Sequence, residues 1–73
     1  MTLYFIHSWG EKEKIAENVP AGADNALNLI SCDLKKRNPD YKMPYLRFWE
    51  GDHGVMWFDV GSHTEFYTLE EEK

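Results

Sequence analysis

Aromatic residues are concentrated in one part of this chain. Seven of the eleven lie in the 23-residue stretch 45–67, within three short segments that read YLRFWE, VMWFDV and TEFYTL. The connecting sequences, GDHG and GSH, supply glycine where tight turns need it. This pattern predicts three strands joined as an antiparallel meander. The rings fall on both alternating sides of the strands, so a single helix cannot cover all of them.

The alternation divides these segments into two faces. One is predicted to pack against a helix, joined by Phe5 or its neighbours, and is apolar: Leu46, Phe48, Met56, Phe58 and Phe66. The other carries amphipathic rings and one cation: Tyr45, Arg47, Trp49, Trp57 and Tyr67. Such rings are enriched in interfaces because they bury a large area while keeping a polar group. We interpret the second face as a partner-binding surface. The alternative is an ordinary core with Trp49 and Trp57 partly exposed.

The first twenty residues predict a hairpin. Residues 3–9 form an apolar run rich in aromatic side chains, which is typical of a buried strand. Residues 12–19 alternate between polar and apolar side chains and favour a polar edge strand. A helix is the alternative for this second segment, because residues 8–11 match a capping box.

A helix follows the hairpin. Apolar residues recur at helical spacing along one stripe, formed by Ala23, Ala26, Leu27, Ile30 and Leu34. Asn38-Pro39 ends this pattern, because the residue before a proline is displaced from helical geometry. The prediction is therefore an α+β fold of order ββαβββ. It has a four- to five-stranded, mainly antiparallel sheet and one helix, from about Ala23 to Arg37, packed on one face.

Length and composition predict one small domain over residues 1–73, with a frayed acidic end at residues 70–73. A single cysteine excludes an internal disulfide framework. No segment approaches the roughly 20 apolar residues that cross a bilayer. The first residues lack the basic region and the long apolar run of a signal peptide. We therefore expect a cytoplasmic protein without a membrane contact.

The residues that could carry chemistry do not form a recognised motif. His53 and His63 occupy turns predicted at opposite ends of the sheet, roughly 20 Å apart. Cys32 is expected to be a small buried side chain on the helix, and His7 has no partner identifiable by spacing. We expect no catalytic residue, no cofactor and no metal site, and hence no enzyme and no zinc-dependent folding.

The charge pattern favours a protein partner over nucleic acid. The net charge is −5, and the only basic cluster is Lys35-Lys36-Arg37, which is typical of a helix C-terminus. The sequence predicts a small non-enzymatic interaction module. It would use its aromatic outer face or a free strand edge to bind a protein, which includes self-association as a homodimer. The alternative is a nucleic-acid-associated protein using this basic cluster and the sheet aromatics.

Overall fold

A computed structural model describes residues 1–42, 45–61 and 64–71. These residues form one helix, a 3-10 turn at Asp52–Gly54 and a five-stranded sheet. The strands lie in the order β2-β1-β5-β4-β3, and every neighbouring pair is antiparallel. The α+β prediction and its element order are confirmed. The elements are β1 (Thr2–Ile6), β2 (Lys12–Ala16), α1 (Ala23–Arg37), β3 (Arg47–Glu50), β4 (Met56–Asp59) and β5 (Phe66–Glu70).

The hairpin at the start of the chain is shorter than the sequence pattern predicts. Residues 12–16 form a strand, so the strand interpretation of this segment is confirmed and the helical alternative is wrong. β1 ends at Ile6, where the prediction extends it to Trp9. The chain turns here because the Gly10 N–H donates to the His7 carbonyl oxygen at 2.8 Å. Gly10 has a φ of 92°, a conformation that glycine adopts without strain. Trp9 is consequently 68% exposed.

The helix contacts one side of the sheet, which we call the inner face. Phe5, Tyr67 and Phe58 occupy this face opposite one another on β1, β5 and β4. The helix reaches it through hydrogen-bonding and ring contacts as well as apolar ones. The Tyr67 hydroxyl donates to Asp33, and the Arg37 guanidinium lies 3.9 Å from the centre of the Phe5 ring. The buried apolar side chains are Leu3, Phe5, Val19, Ala26, Ile30, Phe58, Val60, Tyr67 and Leu69.

The predicted orientation of the last strand is wrong. The sequence pattern assigned Phe66 to the face under the helix and Tyr67 to the outer face. In the structure Tyr67 is fully buried on the inner face, and Phe66 meets the Trp57 ring edge-on at a centroid distance of 6.3 Å. A buried phenol needs a hydrogen-bond partner, and only the inner orientation brings its hydroxyl to Asp33 on the helix.

Three further expectations are corrected by the structure. Phe48 is 51% exposed instead of buried, because β3 is an edge strand. Cys32 is exposed instead of a small core side chain. Glu70 is the last residue of β5 and accepts hydrogen bonds from Lys12 Nζ at 2.7 Å and Thr68 Oγ1 at 2.8 Å, so it is not part of a frayed end. Glu72 and Lys73, which belong to that expectation, lie outside the described residues.

Candidate functional site

The two edges of the sheet differ in chemistry. β2 forms one edge and carries Lys12, Glu13 and Lys14, all exposed. Charged side chains, lysine above all, discourage another strand from pairing with an edge. β3 forms the other edge with the sequence Arg-Phe-Trp-Glu, and all four of its residues are exposed. Together with the preceding Tyr45 and Leu46, we call this strand the β3 edge. It lacks lysine and carries three large aromatic side chains, Tyr45, Phe48 and Trp49.

Backbone groups of β3 are directed away from the sheet. The Gly51 N–H donates to the Val55 carbonyl oxygen at 2.7 Å at the end of the β3–β4 ladder. In an antiparallel pair, only every second residue exchanges hydrogen bonds with the partner strand. Two residues before Gly51, Trp49 is therefore the next residue whose backbone bonds to β4, and its partner is Trp57. Phe48 and Glu50, on either side of Trp49, do not bond to β4. No described strand lies on that side of β3, so the N–H and C=O groups of Phe48 and Glu50 are available to an added strand.

The side chains of the β3 edge offer an aromatic ring on each side of the sheet. Phe48 lies on the inner face with its ring 6.0 Å from that of Phe58. Trp49 lies on the opposite side, which we call the outer face, and is 44% exposed. A shallow cavity of about 560 Å³ lies along this edge, lined by Leu46, Arg47, Phe48 and Trp49. A strand added here would contact aromatic surface on both of its faces.

Trp49 is held in place by a second indole. The rings of Trp49 and Trp57 are nearly parallel, at an interplanar angle of 7° and a centroid distance of 6.5 Å. Trp57 in turn lies against the turn glycine Gly51, where an added Cβ would lie only 2.9 Å from the indole Cδ1. The absence of a side chain at Gly51 therefore leaves room for Trp57 in the position where it stacks on Trp49. An interface residue that is ordered in advance loses less entropy on binding.

An ion pair fixes the start of the β3 edge. Arg47 Nη2 donates to Asp59 Oδ2 at 2.7 Å, and the Tyr45 hydroxyl donates to the same oxygen at 3.4 Å. The Gly61 N–H donates to the other carboxylate oxygen at 3.0 Å. The hydrogen bond from Arg47, followed by that from Gly61, lowers the pKa of Asp59. Asp59 is only 4% exposed, so its charge depends on these partners.

We expect Asp59→Asn to destabilise the protein in a pH-dependent way. A carboxylate with a lowered pKa in the folded state stabilises the fold above its ordinary value of 3.8, and this stabilisation disappears as the pH falls through the lowered pKa. The variant should therefore melt below the wild type at pH 7, and the two melting temperatures should converge below pH 3.8. Arg47→Gln, which removes the main cause of the shift, should show a weaker pH dependence. An equal gap between Asp59→Asn and wild type at both pH values would contradict this role.

Four of the five predicted partner-binding residues lie together on the outer face or its rim. Arg47, Trp49 and Trp57 occupy neighbouring positions of β3 and β4, and Tyr45 joins them through Asp59 and Arg47. Tyr67, the fifth, is buried under the helix, so its predicted place in this surface is wrong. Sequence reasoning missed Phe48, because burial at that position depends on the order of the strands.

A polar network near the end of the helix is also absent from the sequence-based predictions. Arg37 donates from Nε to Asp33 Oδ2 at 2.6 Å and from Nη2 to Glu13 Oε2 at 2.8 Å. His7 lies 2.9 Å from the second oxygen of Glu13 and stacks on Trp9. Burial lowers the pKa of Arg37, but the two carboxylates outweigh it and raise the pKa overall.

This network borders a cavity of about 430 Å³ lined by Phe5, His7, Leu34, Arg37, Asn38, Tyr41, Val60 and Glu65. Arg37 and His7 already have carboxylate partners, and the Tyr41 hydroxyl donates to the Val60 carbonyl oxygen at 2.6 Å. The Arg37, His7 and Tyr41 side chains are therefore already engaged by other groups of the protein. The β3 edge, with unpaired backbone groups and exposed rings, is the stronger candidate.

The basic cluster and the outer aromatic rings lie on different sides of the sheet. Lys35, Lys36 and Arg37 form the last turn of α1, which contacts the inner face. Arg37 is further engaged by two carboxylates. The basic cluster therefore does not lie directly beside the outer aromatic rings.

The described residues contain neither a metal-ligand cluster nor a membrane-spanning helix. In the part of the chain that the structure describes, no three His, Cys, Asp or Glu side chains are grouped so that they could hold a metal ion. His53 lies exposed in the 3-10 turn with a φ of 61°, and His63 lies outside the described residues, so the predicted separation of the two is untested. No helix among residues 1–42, 45–61 and 64–71 is long and apolar enough to cross a membrane.

Comparison with known proteins yields no relative: no protein-family model, no curated protein and no solved structure matches this chain.

Proposed function

We propose that this protein is a small non-enzymatic interaction module that binds an extended segment of a protein at the β3 edge. The observation that carries this proposal is the difference between the two sheet edges. The β2 edge is protected by lysines, whereas the β3 edge exposes Phe48 and Trp49 beside unpaired backbone groups. Strand addition to a free edge combines affinity from main-chain hydrogen bonds with specificity from side chains on alternating sides.

The geometry supports strand addition more than docking on the outer face alone. Of the rings on that face, Trp57 and Phe66 are only partly exposed, and Thr68 between them is fully buried. The most exposed rings of this region belong to the β3 edge, namely Tyr45, Phe48 and Trp49. We also propose that the protein acts in the cytoplasm, where the exposed thiol of Cys32 would stay reduced.

A displayed library of unstructured peptides tests the proposal. Wild-type protein should select peptides with alternating apolar residues, whose side chains contact Phe48 on one face of the sheet and Trp49 on the other. Glu50→Pro removes an edge-facing N–H, and proline is tolerated on an edge strand when its missing N–H faces outward. We expect this variant to remain folded, as judged by circular dichroism. Its Kd for the selected peptides should be at least about tenfold higher than that of the wild type.

Trp9→Lys serves as the matched control, because it alters an exposed aromatic residue away from the β3 edge. It should bind the selected peptides as well as the wild type does. Selected peptides that bind Glu50→Pro and wild type equally would place the binding surface elsewhere and refute the proposal.

A further inference from the structure

The residues of β3 are self-complementary in an antiparallel arrangement. When two identical strands pair around a two-fold axis perpendicular to the sheet, each side chain meets a residue of the same face. The edge-facing amides of β3 belong to Phe48 and Glu50 and, by the same alternation, to Leu46. With a two-fold axis through Phe48, the backbone groups of the two Phe48 residues therefore bond to each other. Those of Leu46 in one copy bond to those of Glu50 in the other.

The side chains agree with this register. Arg47 of one copy would lie directly opposite Trp49 of the other on the outer face, and the two-fold axis produces this pair twice. A guanidinium beside an exposed indole is a favourable cation–π pair, and directly opposed residues without backbone bonds lie closest together. The Arg47 side chain is 68% exposed, so its guanidinium is open to contact by a ring of the second copy. On the inner face the two Phe48 rings would cover each other.

We propose that the occupant of the β3 edge is a second copy of this chain, paired antiparallel about Phe48 to form a continuous ten-stranded sheet. This proposal rests on the proposed function, and it names the partner of that same edge. An axis through Trp49 would instead place the Phe48 ring opposite the Glu50 carboxylate and would leave Arg47 opposite Gly51. That register would place the two Trp49 rings opposite each other, but it lacks both cation–π pairs and sets an aromatic ring against a carboxylate. The sequence of the edge thus selects the axis at Phe48.

Sedimentation equilibrium measures the association. We expect a monomer–dimer equilibrium in the micromolar range, because one short strand buries less than the roughly 1,200 Å² of a standard interface. The measurement belongs at about 0.15 M salt, where the repulsion between two chains of net charge −5 is screened beyond about 8 Å. Phe48→Lys places two like charges opposite each other at the axis and should raise the dimer Kd at least about tenfold. Glu50→Pro should act in the same direction through the backbone, and Trp9→Lys should leave the Kd unchanged.

Oxidative cross-linking tests the register. In a Cys32→Ser background, Phe48→Cys would place two cysteines opposite each other with Cα atoms about 5.5 Å apart, within the range of a disulfide. We expect this variant to form a covalent dimer under mild oxidation. Glu50→Cys is the matched control, since its two copies would lie four residues apart along the strands, roughly 13 Å. A covalent dimer from Glu50→Cys and none from Phe48→Cys would overturn the register.

The outcomes separate this proposal from the one on which it rests. Wild-type protein that stays monomeric up to millimolar concentration, yet binds selected peptides in a Glu50-dependent way, would refute the second copy and leave the interaction module intact. A dimer unaffected by Phe48→Lys and by Glu50→Pro would form through another surface and would overturn the inference. A dimer weakened by both variants, and cross-linked at residue 48, would establish it.

Discussion

Replacing Ile30 by alanine is expected to lower the free energy of unfolding by about 2–5 kcal/mol. Ile30 is fully buried between the helix and the sheet, so truncation would leave a cavity lined by apolar side chains. A chain of 73 residues has a small stability margin, and a loss of this size would unfold a large part of the population. Urea denaturation followed by circular dichroism measures the change.

Leu27→Ala is the comparison for this variant. Leu27 lies on the same helical stripe but is only partly buried, so its truncation removes less buried surface and should cost less than the change at Ile30. Cys32→Ala, at an exposed position of the same helix, should change the stability by less than about 0.5 kcal/mol. A loss under about 0.5 kcal/mol for Ile30→Ala would mean that this helical face is not part of the core.

Replacing Asp33 by alanine should also be strongly destabilising, by about 1–3 kcal/mol. Asp33 accepts hydrogen bonds from the hydroxyl of the buried Tyr67 and from Arg37 Nε. Without this carboxylate the phenol would remain buried and unpaired. Burial, followed by the hydrogen bond to Asp33, also raises the pKa of Tyr67, so ionisation of the phenol cannot relieve the loss at neutral pH.

A double-mutant cycle isolates this contact. Tyr67→Phe alone removes the hydroxyl and should cost about 0.5–1.5 kcal/mol, because Asp33 keeps its bond to Arg37. Combined with Asp33→Ala, the same change removes the unpaired group, so the double variant should lose less stability than the two single losses added together. Additive losses within about 0.3 kcal/mol would show that the two side chains act independently.

Local signals in the sequence define the helix well and the sheet faces less well. The helix spans Ala23–Arg37 as predicted, since its apolar stripe and the Asn38-Pro39 stop are both encoded within a few residues. The orientation of β5 could not be read in this way. Phe66 and Tyr67 are adjacent aromatic residues, and either one would satisfy an inner face. Tyr67 and Leu69 take the inner face together, and the buried phenol bonds to Asp33, which is distant in sequence and meets Tyr67 only in the folded chain.

The position of β3 at an edge is likewise decided by long-range pairing. The sequence predicts the meander β3-β4-β5, and this is confirmed. It does not reveal that β1 pairs with β5, which leaves β3 with a neighbour on one side only among the described strands. Phe48 was therefore predicted to be buried although it is exposed. The residue at the centre of the proposed interface became recognisable only once the strand order was known.

The pairing of β1 with β5 has a consequence for synthesis of the protein. Thr2 lies opposite Glu70, so the middle of the sheet joins the first strand to the last one described. On a ribosome, β1 and β2 would emerge long before β5, and the central strand would be the last to arrive. The nascent chain would thus hold apolar residues such as Leu3 and Phe5 uncovered until synthesis of this region is complete. The sheet should therefore be completed only after β5 has left the ribosome, and chaperones that shield hydrophobic nascent chains should associate with this region until then.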